Sequence, residues 1–379
     1  MSIFSSIFRE DGIPCVSARP ESAESLKETE VIKRFERYFK ILRKKALPKF
    51  RLAQTLSVSY TPQDDETALW NEHDTKMEEM RDLFKDHSEN ELLQRQRLQS
   101  PPKPNLLTLK KDLAYKILSS CRFCERWCKV DRTTEEKGIC NVGLHPKIST
   151  IFTHIGEEPV LIPSLTVFFS NCNFTCVFCQ NYDISQRGSG ETMSVKHVAG
   201  GITAKWKNQE IRNVNWVGGE PTPNLHYILE ALTLLKVDVP QVWNSNLYCS
   251  IEALKLLEGV TDLWLPDFKY GNNACGKHLS KVPKYFDVVS RNLQWMSDHE
   301  EEILIRHLVL PNHHTCCTRP ILKWIAENLN TDKVRVNVME QYRPCWKAHN
   351  YPDIARPLRR GEWEDAVKYA RELGLSLSI

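Results

Sequence analysis

Three cysteines in one short segment are the residues with the clearest chemical potential. Cys172, Cys176 and Cys179 are separated by three and then two residues and follow the apolar run LTVFFS. Three thiolates on one loop can hold three irons of a [4Fe-4S] cluster and leave the fourth iron open to another molecule. An open iron can bind the amino and carboxylate groups of S-adenosylmethionine and pass an electron to its sulfonium group. The alternative is a zinc site that these cysteines share with a distant fourth ligand.

A second group of four cysteines precedes the first. Cys121, Cys124 and Cys128 stand close together, and Cys140 follows after eleven further residues. Four thiolates within twenty residues satisfy a tetrahedral metal site. We expect a second metal here, either zinc with a structural role, which we favour slightly, or an iron-sulfur cluster that relays electrons or anchors a substrate. Seven of the thirteen cysteines fall in these two groups, which favours metal binding in a reducing compartment over a disulfide framework.

The elements that must position the three-cysteine loop alternate between strand and helix after Thr150. Short apolar or β-branched runs predict strands over residues 165–170, 214–217, 241–245, 263–268, 303–310 and 334–339. Helical patterns occupy residues 195–207, 225–235, 251–257, 283–296, 320–328 and 362–373. This alternation predicts an α/β fold with a parallel sheet, closed or nearly closed as a partial (β/α)6 barrel. Functional residues of such folds lie at the carboxyl ends of the strands.

The three-cysteine segment resembles the signature of the radical S-adenosylmethionine (SAM) superfamily. That signature, Cys-x3-Cys-x-aromatic-Cys, is matched by Cys172, Cys176, Phe178 and Cys179. The resemblance implies a [4Fe-4S] cluster that reductively cleaves SAM to methionine and a 5'-deoxyadenosyl radical, which then takes a hydrogen atom from a substrate. It also implies an oxidoreductase that receives electrons from a reductant such as flavodoxin or ferredoxin.

Motifs for binding SAM follow the later strands. Gly218 and Gly219 allow close backbone approach, and Glu220 can accept a hydrogen bond from an ammonium group, as in the superfamily's Gly-Gly-Glu motif. Asn244 lies in a polar segment suited to ribose hydroxyls. Three further charged residues resemble those that bind the methionine moiety in glycyl-radical activating enzymes, namely Asp267, Lys269 and Arg306. The alternative for Asp267 and Arg306 is an ordinary surface ion pair.

Four segments together resemble a narrower branch, the uncharacterised homologues of pyruvate formate-lyase activating enzyme. They are CNFTCVFCQNYDISQ, LPDFKYG, IRHLVLP and VNVMEQYRP, and the resemblance extends from about Leu107 to the C-terminus. It implies an enzyme that abstracts hydrogen from a protein or peptide, for example from a backbone glycine. Two alternatives remain open: radical modification of a small molecule, and a non-catalytic metal-cluster module that recruits nucleic acid.

The chain divides by composition into three parts. Residues 1–104 are predicted to form a charged, helical N-terminal extension, with one basic amphipathic helix over 32–51 and an acidic helix over 64–91. Prolines at 101, 102 and 104 place a boundary before a Cys-rich segment, 105–150, and the radical SAM core, 151–379. The net charge of +3 and the lack of a long apolar run predict a cytoplasmic protein without membrane partners, for which nucleic acid is an unlikely ligand.

Overall fold

The computed structural model describes residues 7–86, 91 and 101–378. Its strands are β1 (Ile7–Glu10), β2 (Ile13–Val16), β3 (Lys147–His154), β4 (Ser164–Phe169), β5 (Glu191–Thr192), β6 (Asn213–Gly218), β7 (Gln241–Ser245), β8 (Leu263–Pro266), β9 (Ile303–Leu308) and β10 (Val334–Met339). The first two strands pair as a separate hairpin. The other eight form one sheet in the spatial order β10-β9-β8-β7-β6-β4-β3-β5.

Helices surround this sheet and connect its strands. They are α1 (Glu21–Glu24), α2 (Thr29–Arg34), α3 (Glu36–Leu42), α4 (Lys49–Ala53), α5 (Glu66–Asp86), α6 (Leu106–Leu118), α7 (Tyr182–Ser185), α8 (Val195–Lys207), α9 (Leu225–Leu234), α10 (Ile251–Leu257), α11 (Asn273–Ser280), α12 (Tyr285–Asp298), α13 (Arg319–Asn328) and α14 (Arg360–Glu372). No helix in the described ranges is long and apolar enough to cross a membrane.

The predicted α/β fold is confirmed. Strands β4 and β6 to β10 are parallel neighbours, and helices connect successive strands. The sheet ends at β10 on one side and at β5 on the other, so the barrel is partial. Two antiparallel strands, β3 and β5, extend the β4 edge and were not predicted. The burial of β3 alternates irregularly along its length, which obscures the strand pattern in the sequence.

Three tryptophans stabilise the middle of the sheet. Trp216, Trp243 and Trp264 are each at most 1% exposed and occupy matching positions on β6, β7 and β8. The Trp216 indole donates to Gln241 at 2.8 Å, which satisfies its polar atom inside the core. Large buried aromatic side chains at equivalent positions on neighbouring strands bury much apolar surface and therefore hold the parallel strands in register.

The N-terminal extension differs from its prediction. The single helix predicted over residues 32–51 is wrong, because the chain forms three short helices, α2, α3 and α4. Phe35 leaves helical geometry between the first two, and Lys44 has a positive φ of 57° before Pro48 precedes α4. Much of the predicted acidic helix is present as α5, whereas residues 87–90 of that prediction lie outside the described residues.

The extension packs against the main sheet. The side chains of Val31, Phe35 and Phe39 share a buried cluster with Val242 and Leu263 of the sheet. Basic residues of the 32–51 run pair with acids of the core, for example in the ion pairs of Lys49 with Glu301 and of Arg51 with Asp238. Some basic residues of this run therefore have acidic partners in the folded chain, which the composition alone does not reveal.

Candidate active site

The three-cysteine loop begins directly after β4 and is fastened to α11. The backbone N–H of Val177 donates to Leu279 at 2.8 Å, and the N–H of Thr175 donates to Ser280 at 3.1 Å. The same serine places its hydroxyl 2.9 Å from the Cys176 sulfur. The loop is therefore held by a helix 100 residues further along the chain, which fixes where its thiols point.

Each of the three sulfurs has a hydrogen-bonding neighbour. The Cys179 sulfur lies 3.1 Å from the Ser185 hydroxyl, and the Cys172 sulfur accepts from the backbone N–H of Phe174 at 3.3 Å. Burial raises the pKa of all three thiols, that of Cys176 to about 11. Without a metal cation these thiols would stay protonated. Bound iron would favour the thiolate forms, which can accept hydrogen bonds from the neighbouring donors.

The spacing of these sulfurs fits a cluster better than a single ion. The sulfurs of Cys172, Cys176 and Cys179 do not all lie within 4.8 Å of one another, although other cysteines among the described residues do. Thiolates on one zinc ion with bonds of about 2.3 Å would stand about 3.8 Å apart. Thiolates that each bind a different iron are further apart, so the geometry favours the cluster over the zinc alternative.

A cavity of about 640 Å³ opens beside the loop at the carboxyl ends of the strands. The structure brings every residue predicted for the radical cluster and for SAM to this one cavity. Its lining includes Cys172, Cys176, Phe178, Cys179, Gly218, Gly219, Glu220, Asn244, Asp267, Lys269 and Arg306. These residues come from the ends of five strands and their following loops, as expected for a site at the switch from strand to loop.

The two glycines after β6 are required by close backbone contact. Gly218 has a φ of 122°, and a Cβ there would lie 2.1 Å from the Phe169 carbonyl oxygen. A Cβ on Gly219 would lie 2.0 Å from the carbonyl oxygen of Asn171, next to the first cysteine. The glycines thus let β6 approach the three-cysteine loop directly.

We expect Gly219→Ala to disturb the loop and to lower the free energy of unfolding by about 1–3 kcal/mol, because backbone cannot move aside as a side chain can. Urea unfolding of the full chain measures this. Gly200→Ala is the matched control, since its Cβ meets open space in α8 and should stabilise the helix by about 0.5–1 kcal/mol. Equal stabilities for the two variants would contradict the close approach.

Glu220 is buried and held by protein donors. Its Oε1 accepts from Thr222 and, at 2.5 Å, from the Ser245 hydroxyl, and its Oε2 accepts from the backbone N–H of Asn246 at 2.8 Å. Burial raises the pKa of this carboxyl group despite these bonds. Since Oε2 accepts only one of these hydrogen bonds and Glu220 lines the cavity, it retains capacity for an ammonium group.

Asp267 and Lys269 follow β8 and face the same cavity. The lysine ammonium lies 2.6 Å from the Asp267 carboxylate. Burial opposes the charged lysine, but Asp267 and the nearby cysteine sulfurs outweigh that effect and raise the pKa of Lys269. A charged lysine beside Cys176 would complement thiolates at the cluster.

Arg306 lies in a buried ion cluster that the sequence did not reveal. Its guanidinium binds Glu158 at 2.7 and 2.5 Å and also contacts Glu157. Asn337 donates to Glu158 at 2.8 Å, and His154 lies 3.3 Å from Glu157. Both glutamates lie in the loop after β3, with two residues between the end of that strand and Glu157, so recognising that strand would have given the signal for them. A ligand carboxylate at Arg306 would have to replace one of them.

The second cysteine group surrounds a smaller cavity. Cys121, Cys124, Cys128 and Cys140 all line it. A Cβ on Gly138 would lie 2.7 Å from the Cys128 sulfur, and the backbone N–H of Ile139 donates to that sulfur at 3.4 Å. The four thiols therefore share one small cavity, and the glycine allows the chain to turn closely around one of them.

Two comparisons of the sequence with known proteins bear on the family of this chain. The Radical SAM superfamily profile matches residues 166–325. Uncharacterized protein MJ0674 of Methanocaldococcus jannaschii is 44% identical over 348 residues, which cover 90% of this chain and 98% of that protein.

Two solved structures are similar to parts of the chain. Streptococcus suis SuiB bound to precursor peptide SuiA is 14% identical, with a TM-score of 0.42, and the match covers 57% of this chain and 47% of SuiB. A domain of pyruvate-formate lyase-activating enzyme from Bacteroides vulgatus is also 14% identical, with a TM-score of 0.35, over 44% of this chain and 98% of that domain. On the profile and the long match to the M. jannaschii protein, the chain belongs to the radical SAM superfamily.

Proposed function

We propose that this radical SAM enzyme abstracts a hydrogen atom from a protein or peptide substrate, as the activating enzymes do. The observation that carries the proposal is the convergence of three spaced thiols and the polar residues for SAM on one cavity. When bound, the [4Fe-4S] cluster and SAM would supply the 5'-deoxyadenosyl radical. The protein's part is to hold, orient and desolvate them.

Each side chain has a proposed role in holding the two groups. Cys172, Cys176 and Cys179 would bind three irons. Glu220 would accept from the amino group of SAM, and Asn244 would bind the ribose. Phe178, packed against Tyr342 with ring centroids 5.8 Å apart, would form an apolar wall beside the cluster.

The charged residues would hold the methionine carboxylate. Lys269 acts on the thiols, since its charge partly offsets the rise that burial causes in the pKa of Cys176 and Cys179. Asp267 would keep that lysine charged and oriented through their 2.6 Å contact. Arg306 would take the carboxylate in exchange for one of its glutamates.

The size and position of the cavity favour a macromolecular substrate, of which only a loop enters the site. A volume of about 640 Å³ must contain the cluster and SAM before any substrate. The sheet does not close between β10 and β5, so the site has a lateral opening. A loop of another polypeptide could reach the radical through that opening, whereas a small molecule would have to fit in the space that remains.

An assay for 5'-deoxyadenosine separates the two substrate classes. The reconstituted enzyme with SAM and reductant is combined with the protein fraction of a cell extract or with its low-mass filtrate. We expect the protein fraction to stimulate 5'-deoxyadenosine formation and protease treatment to remove the stimulation. Stimulation by the filtrate alone would contradict a protein substrate and support a small molecule.

We further propose that Cys121, Cys124, Cys128 and Cys140 bind an iron-sulfur cluster. A buried cation beside the group supports an anionic metal–thiolate centre. Arg132 is fully buried and donates hydrogen bonds to the Gly143 carbonyl oxygen at 2.8 Å and to the Cys121 sulfur at 3.6 Å. It has no carboxylate partner among the described residues. No three of the four sulfurs lie within 4.8 Å of one another, which is wider than one zinc ion requires.

The position of this group favours a role in electron transfer. The side chain of Asn173, which follows the first radical-loop cysteine, partly opposes the rise that burial causes in the pKa of the Cys124 thiol, so it lies beside that thiol. Its buried amide nitrogen makes no hydrogen bond within the described part of the chain, and such a donor suits a thiolate. Trp127 and Ile139 are exposed beside the group and would offer an apolar contact for a reductant such as flavodoxin or ferredoxin.

We expect Cys124→Ser to reduce the iron content from about eight to about four per chain and to slow reduction by flavodoxin more than reduction by dithionite. Iron analysis and anaerobic reduction kinetics measure the two effects. Cys345→Ser is the control, because its half-buried thiol lines neither cavity. Loss of zinc with unchanged iron would overturn the cluster at this group and restore a structural zinc.

A further inference from the structure

A third group of cysteines lies outside both cavities and is assembled from two loops. Cys275 is in the first turn of α11, just after β8, and Cys316 and Cys317 are in a π-helical turn, His314–Thr318, after β9. All three sulfurs lie within 4.8 Å of one another. Cys275 and Cys316 are 41 positions apart along the chain, so only the fold brings these two loops together.

The distances between these sulfurs match a single tetrahedral metal ion. The Cys316 sulfur is 4.0 Å from that of Cys275 and 3.9 Å from that of Cys317. Thiolates on one zinc ion would stand about 3.8 Å apart. A disulfide would need about 2.05 Å, so the observed spacing is that of separate ligands around a common centre.

His313 lies beside the three thiols, although neither of its ring nitrogens is within 4.8 Å of all three sulfurs. Its side chain makes a hydrogen bond with the Cys275 thiol, and it is only 5% exposed. The Nδ1 atom lies 2.7 Å from the Pro311 carbonyl oxygen and must carry the proton that is donated to it. This leaves the lone pair on Nε2, the arrangement that backbone carbonyls impose on metal-binding histidines. The Asp353 carboxylate lies 3.6 Å from Nε2.

The backbone around the group is built for close approach. A Cβ on Gly271 would lie 2.7 Å from the Cys317 carbonyl oxygen, so only glycine lets the two loops touch. Asn272 donates to the Cys316 carbonyl at 2.8 Å and to the Cys275 sulfur at 3.4 Å. The ligands are therefore held in place by contacts that do not involve the metal.

We propose that Cys275, Cys316 and Cys317 bind one zinc ion that clips the loop after β8 to the loop after β9, and that the His313 ring turns toward the ion to complete its coordination. Cys275 follows Lys269 by six residues on the same loop and helix start, so the clip would help to fix the segment that carries Lys269 at the candidate active site. Its role is structural and independent of the chemistry at the radical cluster. Zinc with three thiolates and one histidine is a common closed structural site.

Zinc-edge X-ray absorption on the full wild-type chain, purified with zinc and washed with a chelator, tests the proposal. We expect about one zinc per chain with three sulfur neighbours and one nitrogen neighbour. A shell of four sulfurs would place the ion at the second cysteine group and overturn the proposal. The absence of zinc, with two thiols that react only after reduction, would show a disulfide instead.

Variants locate the ion within the chain. Cys316→Ser is expected to lose the zinc, and His313→Gln to hold it more weakly, by about 10- to 100-fold. Cys345→Ser should keep the wild-type zinc content. Equal zinc in Cys316→Ser and wild type would refute the site. Iron content measured in the same samples keeps the test separate from the radical function, because a failed cluster would lower iron and leave this zinc unchanged.

Discussion

Cys176→Ala is expected to reduce 5'-deoxyadenosine formation from SAM to the background level and to remove the iron of the radical cluster. Cys176 would supply one of the three proposed thiolates, and its sulfur lies 2.9 Å from the hydroxyl of Ser280 in α11. With two thiolates the cluster has no third anchor, so the chemistry that depends on an open fourth iron is lost. Anaerobic reconstitution followed by chromatography of the nucleoside products measures the change.

Cys345→Ser is the matched control for this prediction. Its thiol is half-buried and does not line the cavity, so the substitution removes a cysteine without removing a proposed cluster ligand. We expect wild-type iron content and wild-type 5'-deoxyadenosine formation. Persistence of SAM cleavage in Cys176→Ala, with a full complement of iron, would show that the cluster is held elsewhere.

Arg306→Met is expected to lower the free energy of unfolding by about 3–5 kcal/mol, because it leaves two buried carboxylates without their cation. Glu157 and Glu158 are 7% and 5% exposed, so water would compensate their charges less well than the guanidinium that joins them. The loss should be partly reversed in a triple variant that also carries Glu157→Gln and Glu158→Gln, since neutral amides carry no charge to compensate. Urea unfolding compares the three proteins.

The pH dependence of unfolding gives this prediction a second readout. Burial alone would raise the pKa of Glu157, but Arg306 and His154 outweigh it and hold the pKa below its ordinary value of 4.5. A lowered pKa contributes stability that is present above pH 4.5 and is lost as the pH falls below it. This acid loss should be smaller in Arg306→Met.

Arg360→Met is the matched control for the buried ion cluster. Arg360 pairs with Glu364 on the exposed surface of α14, and its side chain is 92% exposed. Because water screens this pair, no measurable change in stability is expected. A large loss in Arg360→Met, or none in Arg306→Met, would contradict the role assigned to the buried cluster.

The core strands could be predicted because they are buried on both faces. The predictions over 241–245 and 334–339 coincide with β7 and β10, and the helix over 195–207 coincides with α8. Continuous apolar runs between helical patterns are the signal that parallel sheets produce. The residues predicted for the radical cluster and for SAM were found for a related reason, because they lie at the end of such a strand or in the loop that follows it, whereas the second cysteine group was found from its spacing alone.

Features that depend on distant parts of the chain were missed. The antiparallel β3 is half-exposed and shows no simple alternation, so the glutamates that follow it gave no signal as partners of Arg306. The helix predicted over 32–51 failed because the chain leaves helical geometry at Phe35 and at Lys44, and because Pro48 cannot continue a helix. Cys275 and Cys316 meet only through the fold, and no spacing rule connects them.

The most direct test of the central claim uses the anaerobically reconstituted wild-type chain, reduced with dithionite and then mixed with SAM. The account predicts a reduced-cluster electron paramagnetic resonance signal that changes on addition of SAM, together with the appearance of 5'-deoxyadenosine and methionine. The signal should change because SAM binds the iron that lacks a cysteine ligand. A filled cluster whose signal is indifferent to SAM, with no nucleoside product, would contradict the assignment of this cavity as a radical SAM active site.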